Sequence, residues 1–366
     1  MSSQALFSPI KVGTHTLKHR VVLAPLTRFR ATLDHVPTDL HVEYYKQRAS
    51  DGGLLITEGT AISRLAGAYP QVPGIYNKEQ IEAWKKVTSA VHTKGGIIFV
   101  QLWHIGRLGS KNRNPNQEQV VGPSAIPCPG KDFAGNDLEI PRALTADEIK
   151  SVISDYAQAA RNAIEAGFDG VELHGANGYL IDQFLNSSSN QRTDIYGGSS
   201  ENRARFALEV VDAVAQAVGE ERTAIRFSPG GDFQGMGDDN VEKTWGYLTS
   251  RLQENHPGLA YLHMIECRSN IFDDTQAGLA DTLEPYRKLF KGPFMTAGGL
   301  SNAQKFAEEI AEKTGDLIAY GRAFIANPDL PERLRNGWDL NPYDRNTFYT
   351  NGDEGYTDYP FYNKEK

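Results

Sequence analysis

The stretch Thr145–His174, TADEIKSVISDYAQAARNAIEAGFDGVELH, contains one complete helix–strand unit. Thr145-Ala-Asp-Glu148 has the spacing of a capping box and predicts a helix that runs to about Ala166. Gly167 then ends the helix, because glycine readily adopts the left-handed conformation of a helix stop. The run Gly170–His174 is short and apolar without strict alternation, which is typical of a strand covered on both faces. The unit is therefore a building block of an α/β fold.

The same alternation recurs along the whole chain. Apolar runs predict eight strands, at Val21–Pro25, Leu54–Glu58, Ile97–Leu102, Gly170–His174, Ala224–Ser228, Ala260–Ile265, Phe294–Ala297 and Leu317–Tyr320. Helices are predicted over Lys78–Lys94 and Glu201–Val218, and a second capping box predicts a helix start at Ser301–Gln304. Eightfold repetition predicts an α/β fold, a (β/α)8 TIM barrel that forms a single domain over residues 1–366, in preference to a doubly wound open sheet.

Two segments interrupt this alternation. His104–Arg142 follows the third strand, is rich in Gly, Pro and Asn, and is long for a plain loop, so we expect it to be a lid or a pocket wall. The last thirty residues look polar, yet they carry an excess of aromatic side chains. These are Trp338, Tyr343, Phe348, Tyr349, Tyr356, Tyr359, Phe361 and Tyr362. We expect this C-terminal tail to pack on the body of the protein.

The composition excludes several classes of function. The 366 residues include 38 Lys and Arg and 46 Asp and Glu, and the resulting net charge of −8 argues against nucleic acid as a partner. We expect no membrane partner, because apolar runs such as Ile97–Val100 are too short to span a bilayer, and no secretory signal. Cys128 and Cys267 stand far apart without CxxC neighbours, and no HExxH motif occurs. We therefore expect no metal site and a cytoplasmic location.

The ends of the last two predicted strands suggest a phosphate site. Gly298-Gly299 lets a ligand approach the backbone closely, and a helix starting at Ser301 would present free N–H groups. Gly321-Arg322 adds a guanidinium, which suits two-pronged phosphate binding. The alternative is a glycine-rich turn beside a surface arginine, and the position at a barrel mouth favours the phosphate cradle.

Acidic residues near strand ends leave a different chemistry open. Glu58, Glu172 and Glu266 lie on the second, fourth and sixth strands, so two of them could form the carboxylate pair of a glycosidase. Glu172 lies one layer deeper than His174, which favours a buried structural role for it. No lysine stands at these strand ends, so Schiff-base chemistry is not expected.

The stretch HGANGYLIDQF, His174–Phe184, carries the most chemical information. If the chain turns helically after the fourth strand, His174 and Asn177 share a face and can donate hydrogen bonds to one oxygen. Two converging donors polarise a carbonyl group. Tyr179 adds a phenol that could supply a proton beside the reacting carbon. Each residue alone would be interpreted as structural, but their placement in one turn at a barrel mouth favours a catalytic site.

At this stretch the sequence resembles the old yellow enzyme family, in the fungal and plant branch that includes the oxophytodienoate reductases. The supporting motifs, in chain order, are Ala24–Arg28, Val100–Trp103, HGANGYLIDQF, Arg226–Pro229, Tyr320–Arg322, Asp344–Tyr349 and Glu354–Pro360. The resemblance implies a (β/α)8 barrel that binds FMN without a covalent bond, is reduced by NADPH and reduces electron-poor alkenes. Its partner would be a small α,β-unsaturated carbonyl compound, and the chain would act as a monomer or a homodimer.

The resemblance also implies which residues hold the flavin. The ring would be lined by Pro25, Leu26 and Thr27, and its polar edge would contact Gly59, Gln101, His174 and Arg226. The phosphate would be held by Gly298, Gly299, Gly321 and Arg322, while Phe348 and Tyr349 would close the dimethylbenzene side or the pocket rim. Gly298-Gly299 and the segment Ser228–Gly231 depart from the usual family pattern.

The resemblance implies a catalytic order as well. His174 and Asn177 would hold the substrate carbonyl, flavin N5 would deliver hydride to the β-carbon, and Tyr179 would protonate the α-carbon in a ping-pong reaction. The substrate pocket would add Tyr69 and Trp103, with Phe272 and Ile271 as weaker candidates because Cys267–Thr275 matches the family poorly. Two flavin alternatives remain, a redox-neutral isomerase, which the presence of Tyr179 disfavours, and a non-catalytic flavin-binding protein.

Overall fold

The computed structural model describes residues 5–67, 69–131, 135, 137–267 and 281–363. An antiparallel hairpin of β1 (Ile10–Val12) and β2 (His15–Leu17) comes first. A closed barrel of eight parallel strands follows, in chain order β3 (Val21–Leu23), β4 (Leu54–Ala61), β5 (Ile97–Trp103), β8 (Gly170–Gly175), β9 (Thr223–Phe227), β10 (Tyr261–Ile265), β11 (Phe294–Ala297) and β12 (Leu317–Tyr320). Between β5 and β8, β6 (Val121–Gly122) pairs in parallel with β7 (Arg142–Ala143). The predicted (β/α)8 barrel is confirmed.

The helices lie between the barrel strands. They are α1 (Asp39–Arg48), α2 (Lys78–His92), α3 (Ala146–Glu165), α4 (Leu180–Leu185), α5 (Ser200–Val218), α6 (Val241–Asn255), α7 (Glu284–Leu289), α8 (Gln304–Thr314), α9 (Arg322–Ala326) and α10 (Leu330–Asn336). The capping box of α3 forms as predicted, since Thr145 Oγ1 accepts the Glu148 N–H and Glu148 Oε2 accepts the Thr145 N–H. No helix in the described part of the chain is long and apolar enough to cross a membrane.

The second predicted capping box is wrong. Residues Leu300–Asn302 form a 3₁₀ turn, and α8 begins only at Gln304 after Ala303. Ser301 Oγ instead accepts the backbone N–H of Ala323, in the first turn of α9. A serine hydroxyl bonds whichever backbone donor the tertiary structure brings closest, so the four-residue spacing alone did not decide its partner.

The barrel interior changes from apolar to polar toward the carboxyl ends of the strands. Its lower part belongs to one buried apolar cluster that includes Val22, Ile56, Phe99 and Met295. Two residues further along β5, Gln101 points into the same interior, because side chains in a strand alternate between faces. Aliphatic packing therefore closes the barrel below, and polar side chains are confined to the end where the loops begin.

The excursion and the tail both pack against this polar end. Residues between β5 and β7 line a cavity of about 600 Å³ together with Tyr69, Phe233 and Gln234, which agrees with the expected pocket wall. In the tail, Tyr356 is fully buried and stacks on Tyr44 with ring centroids 4.2 Å apart. The tail packs as predicted, although three of its eight aromatic side chains are largely exposed: Tyr349, Phe361 and Tyr362.

Buried arginines anchor this tail through its backbone. Arg30 is 3% exposed and donates hydrogen bonds to four tail carbonyls and one hydroxyl, those of Thr347, Phe348, Gly352, Glu354 and Thr350. Arg28 donates to the carbonyls of Phe348 and Gly355. Two guanidinium groups thus satisfy backbone acceptors of the tail that would otherwise be buried without a donor.

Replacing Arg30 with Met should release the tail, because several carbonyls lose their donor. We expect a loss of about 2–4 kcal/mol in the free energy of unfolding. Urea unfolding measures the loss, and limited proteolysis should show faster cleavage after residue 340. Arg251→Met is the control, since Arg251 is an exposed helix residue paired with Glu254. Equal stability of the two variants would contradict the anchoring role.

Candidate functional site

A small cavity lies where the loops after β3, β9, β11 and β12 meet. Its volume is about 150 Å³, and seven of the predicted cofactor residues line it: Pro25, Leu26, Arg226, Gly298, Gly299, Gly321 and Arg322. Gly298 and Gly299 have φ angles of +107° and +72°, which side chains rarely adopt. The tight backbone of this turn therefore depends on the two glycines, which bring no side chain between the backbone and the cavity.

Arg226 has the clearest unmet bonding capacity in this cavity. Its side chain is 9% exposed, and its Nε has no hydrogen-bond partner among the described residues. Burial lowers the pKa of Arg226, with Glu172 acting in the opposite direction, yet a guanidinium stays charged at neutral pH. A buried cation with an unused N–H at a cavity wall fits a ligand that presents an acceptor or developing negative charge.

A buried carboxylate lies below this arginine. Glu172 is fully buried, its Oε1 accepts a hydrogen bond of 2.8 Å from Gln101 Nε2, and its Oε2 lies 2.8 Å from His263 Nδ1. Burial raises the pKa of Glu172, but His263, Arg226 and Gln101 together hold it below its usual value. Glu172 therefore has the buried, hydrogen-bonded role expected for it, and its charge offsets that of Arg226.

The other two strand-end acids serve separate local networks. Glu58 Oε2 accepts the backbone N–H of Arg28, and its Oε1 lies 3.3 Å from His41 Nε2. Glu266 Oε2 accepts the backbone N–H of Thr282. Because the three acids are at most 3% exposed and bonded to different elements, the structure gives no support to the glycosidase alternative.

Three aromatic rings meet at the mouth of the barrel. The ring of Tyr179 lies 4.8 Å from His174 and 4.8 Å from Trp103, edge to face in both cases. The rings of Trp103 and His174 are nearly parallel, with centroids 6.1 Å apart. The structure therefore brings together three side chains predicted from different parts of the sequence, and their mutual packing fixes each ring plane.

The environment of His174 sets both its charge and its tautomer. Burial first, and then the charges of Arg226 and His263, lower its pKa well below the usual value, so the ring is neutral. Its Nδ1 accepts the backbone N–H of Ala176 at 3.3 Å. In a neutral imidazole with Nδ1 as acceptor, Nε2 carries the proton. His174 is therefore a neutral hydrogen-bond donor.

Tyr179 keeps its proton at neutral pH. Burial raises the pKa of its phenol to about 12, although the neighbouring side chains of Gln234 and Tyr69 lower it in part. The hydroxyl groups of Tyr69 and Tyr179 hydrogen-bond to each other, and the pKa of Tyr69 is raised well above its usual value by burial. A phenol that remains protonated is the required state for a proton donor.

The expected helical turn at Asn177 is wrong. Asn177 and Gly178 have φ angles of +57° and +76°, so the chain turns through the left-handed region before α4 begins. A Cβ on Gly178 would also lie 2.9 Å from Gln234 Cβ, so glycine is required twice over. The structure places Asn177 three residues after His174 at the same barrel mouth, and their joint grip on one oxygen stays a prediction.

The remaining predicted residues occupy different places. Thr27 is half-buried beside Leu26, and Gly59 lies against Trp103 rather than at the cavity of about 150 Å³. Phe348 is buried, whereas Tyr349 is exposed and lies 5.5 Å from Phe29, ring to ring. The weaker pocket candidates Phe272 and Ile271 lie outside the described residues.

The larger cavity includes residues that the sequence did not identify. Tyr69 lines it together with Leu108, Cys128, Phe233 and Gln234, while Trp103 and Tyr179 contact Tyr69 without lining the cavity. These lining residues come together because the excursion folds back over the barrel, and no local sequence motif indicates that fold. Phe233 of this wall precedes Gln234, whose φ is +61°, and no sequence pattern marked either residue.

Known proteins resemble this chain over almost its full length. Residues 5–341 match the NADH:flavin oxidoreductase / NADH oxidase family. The chain is 48% identical over 388 residues to flavin oxidoreductase hxnT of Emericella nidulans, with 98% of each protein covered. It is 49% identical over 357 residues to 12-oxophytodienoate reductase 1 of Oryza sativa subsp. japonica, covering 97% of this chain and 93% of the rice protein.

Solved structures agree with this assignment. Morphinone reductase superposes with a TM-score of 0.91 at 45% identity, covering 100% of this chain and 98% of that one. The old yellow enzyme homologue from Zymomonas mobilis gives a TM-score of 0.90 at 42% identity, covering 97% and 99%. Fold and site thus define an oxidoreductase that uses a flavin. The chain belongs to the NADH:flavin oxidoreductase family of old yellow enzymes, which contradicts the glycosidase alternative.

Replacing Gly59 with Ala should displace the indole of Trp103, because the new Cβ would lie 2.6 Å from Trp103 Cε3. We expect a loss of about 1–3 kcal/mol in the free energy of unfolding and a changed near-UV circular dichroism signal from tryptophan. Gly246→Ala is the matched control, because open space surrounds that position in α6. It should be neutral or stabilising by up to about 1 kcal/mol. Similar behaviour of both variants would refute the contact.

Proposed function

We propose that this protein is an FMN-dependent ene-reductase that oxidises NADPH and reduces the C=C bond of α,β-unsaturated carbonyl compounds. The observation that carries the proposal is a neutral His174 with its proton on Nε2, packed against a protonated Tyr179 at the barrel mouth. A hydrogen-bond donor and a proton donor side by side are the two groups that reduction of a conjugated alkene requires from the protein.

The residues at the smaller cavity suit FMN. The cavity of about 150 Å³ offers glycine backbone and Arg322 for a phosphate, and the unpaired Nε of Arg226 for an acceptor on the ring. Pro25 and Leu26 supply apolar surface beside them. When bound, FMN accepts a hydride from the nicotinamide and passes it from N5 to the alkene. Arg226 would stabilise the negative charge that this chemistry places on the ring, because a buried cation acts strongly in a low dielectric.

On the substrate side, His174 and Asn177 would donate hydrogen bonds to the carbonyl oxygen. These bonds withdraw electron density from the conjugated double bond and make its β-carbon a better hydride acceptor. A donor of this kind contributes about 3–4 kcal/mol to barrier lowering. Tyr179 would then protonate the α-carbon, and Tyr69, hydrogen-bonded to it, keeps its hydroxyl oriented. NADPH and substrate would use the same site in turn, which predicts ping-pong kinetics.

The larger cavity indicates room for more than a small enone. Its volume of about 600 Å³ extends from Tyr69 to the rim residues Arg113 and Lys131. The relatives named above include reductases of 12-oxophytodienoate and of morphinone. We propose that the physiological substrate is a bulky enone rather than a minimal one, handled in the cytoplasm by a monomer or a homodimer.

The test begins with the visible spectrum of the purified protein and of the flavin released on denaturation. Anaerobic titration with NADPH and, in parallel, NADH follows, because the matching family is named for NADH and one morphinone reductase structure contains tetrahydroNAD. A panel of enones, starting with 2-cyclohexenone, then measures reoxidation. A colourless protein that takes up no FMN would overturn the proposal. An isomerised enone would favour the isomerase alternative, and an enone that is left unchanged would favour the flavin-binding alternative.

Tyr179→Phe should separate the two half-reactions. The variant keeps the ring contacts with His174 and Trp103 but lacks the transferable proton. We expect alkene reduction to slow by about 10²–10⁴-fold, while flavin reduction by NADPH stays within about threefold of the wild type. Stopped-flow absorbance of the flavin measures both rates. Tyr247→Phe, on α6 outside the barrel, is the control. Equal slowing of both half-reactions would show that Tyr179 is not the proton donor.

A further inference from the structure

We propose that Asp182 is a positioning residue that holds the turn carrying Asn177 through Ser228, and that this hold is strongest when its carboxylate is ionised. The inference rests on the proposed function, because Asn177 matters only if it binds a substrate carbonyl. Nothing in the HGANGYLIDQF motif indicates this role by itself. It follows from three hydrogen-bond donors that converge on one buried carboxylate.

The turn needs an external anchor because its backbone conformation is unusual. Asn177 is a non-glycine residue with a φ of +57°, and Gly178 follows with +76°. Such left-handed positions cost free energy unless the surroundings impose them. Asp182, in the first turn of α4, supplies the anchor. Its Oδ2 accepts the backbone N–H of Gly178 at 2.8 Å.

Ser228 extends the anchor to Asn177. This serine follows β9, so it belongs to a different strand end from the turn. Its Oγ accepts the backbone N–H of Asn177 at 2.9 Å and donates to Asp182 Oδ2 at 3.3 Å. Asn186 Nδ2 donates to Asp182 Oδ1 at 2.9 Å. Both residues of the left-handed turn are thus tied, directly or through Ser228, to the same carboxylate.

This arrangement requires an acceptor oxygen toward Gly178 and Ser228, which the ionised carboxylate supplies. An ionised carboxylate only accepts hydrogen bonds, and all three of its partners are donors. A proton on Oδ2 would turn that oxygen into a donor toward Ser228. Ser228 would then have to rotate its own hydroxyl proton away while still accepting from Asn177. Protonation of Asp182 therefore disrupts the hydrogen bond that Ser228 donates to it, and it weakens the hold of Ser228 on Asn177.

Burial places this protonation in an accessible pH range. Asp182 is 1% exposed, and burial raises its pKa to about 7, although its hydrogen bonds from Gly178, Ser228 and Asn186 and the charge of Arg107 oppose the rise. A cavity of about 20 Å³, room for one water, separates Asp182 from further titratable groups. These are Asp232, Glu266 and Cys267.

The ionisation of Asp182 sets the direction of the pH dependence. Because the pKa of the buried carboxyl lies near 7, Asp182 is ionised above pH 7 and the turn is held firmly. Below pH 7 it takes up a proton, and the turn loosens. His174 stays neutral over this range because its pKa lies well below the usual value, so it contributes no opposing change.

The experiment measures the Kd of 2-cyclohexenone for the oxidised, FMN-loaded enzyme from the change in flavin absorbance between pH 6 and pH 8. We expect the wild type to bind about fivefold more weakly at pH 6, as for the loss of one hydrogen bond. Asp182→Asn keeps a carbonyl acceptor but cannot titrate, so its Kd should be flat with pH. Ser228→Ala should bind about fivefold more weakly at pH 8 and lose most of the pH dependence.

Asp155→Asn is the matched control, because burial also raises the pKa of this half-buried carboxyl on α3. It should retain the wild-type pH profile. A profile in Asp182→Asn that still follows the wild type would overturn the proposal, and so would a Ser228→Ala variant that behaves as the wild type at every pH. Failure of Asp182→Asn to bind at pH 8 would also overturn it, since the amide retains the acceptor.

A second readout does not depend on substrate. Infrared pH-difference spectra of the holoenzyme should show the carbonyl band of a protonated carboxylic acid with a midpoint near pH 7, absent in Asp182→Asn and present in Asp155→Asn. If the wild type neither binds nor reduces any enone, the proposed function fails while this band still identifies the titration of Asp182. If enones bind and the band is missing, the role of Asp182 fails and the proposed function stands.

Discussion

Closure of eight parallel strands into one barrel is the constraint on which the rest of this structure depends. Parallel pairing sends every strand's carboxyl end to the same rim, so loops from distant parts of the sequence meet there. The cavity of about 150 Å³ draws its walls from the ends of β3, β9, β11 and β12, and the rings of Trp103, His174 and Tyr179 come from two neighbouring strands and the turn after one of them. Aliphatic packing below this rim excludes water from the barrel interior and leaves the polar residues at one end.

Burial at this rim fixes protonation states that the chemistry can use. His174 is neutral because a charged ring would lie beside Arg226 and His263 in a dry environment, and Tyr179 retains its proton for the same reason of desolvation. Burial does not neutralise Glu172, because His263, Gln101 and Arg226 compensate its negative charge. His174 and Tyr179 are therefore neutral groups at the rim, while the charge of Glu172 is compensated deeper in the barrel.

The two segments outside the repeating pattern contain little secondary structure, and side-chain-to-backbone hydrogen bonds help to hold them in place. Arg28 and Arg30 bond tail carbonyls, and Arg107 in the excursion donates to the carbonyl of Gln234. Guanidinium groups suit this task, because each offers five donors in a fixed geometry. Arg107 thereby links the excursion to the loop of Gln234, and residues of both segments line the cavity of about 600 Å³, so the shape of the pocket depends on segments with little regular structure.

The sequence by itself determined the barrel, because the apolar pattern of a buried strand is local and repeats eight times, and Thr145 and Glu148 form their capping box within four residues. It also identified the motif around His174, since those residues adjoin one strand. The tertiary structure decided the rest. Ser301 bonds α9 instead of capping α8, and Asn177 lies in a left-handed turn, because their partners, Ala323 and Ser228, are far away in the sequence. Hydrogen-bond partners and buried charges depend on which distant groups come within about 3 Å, and only the closed barrel sets those distances.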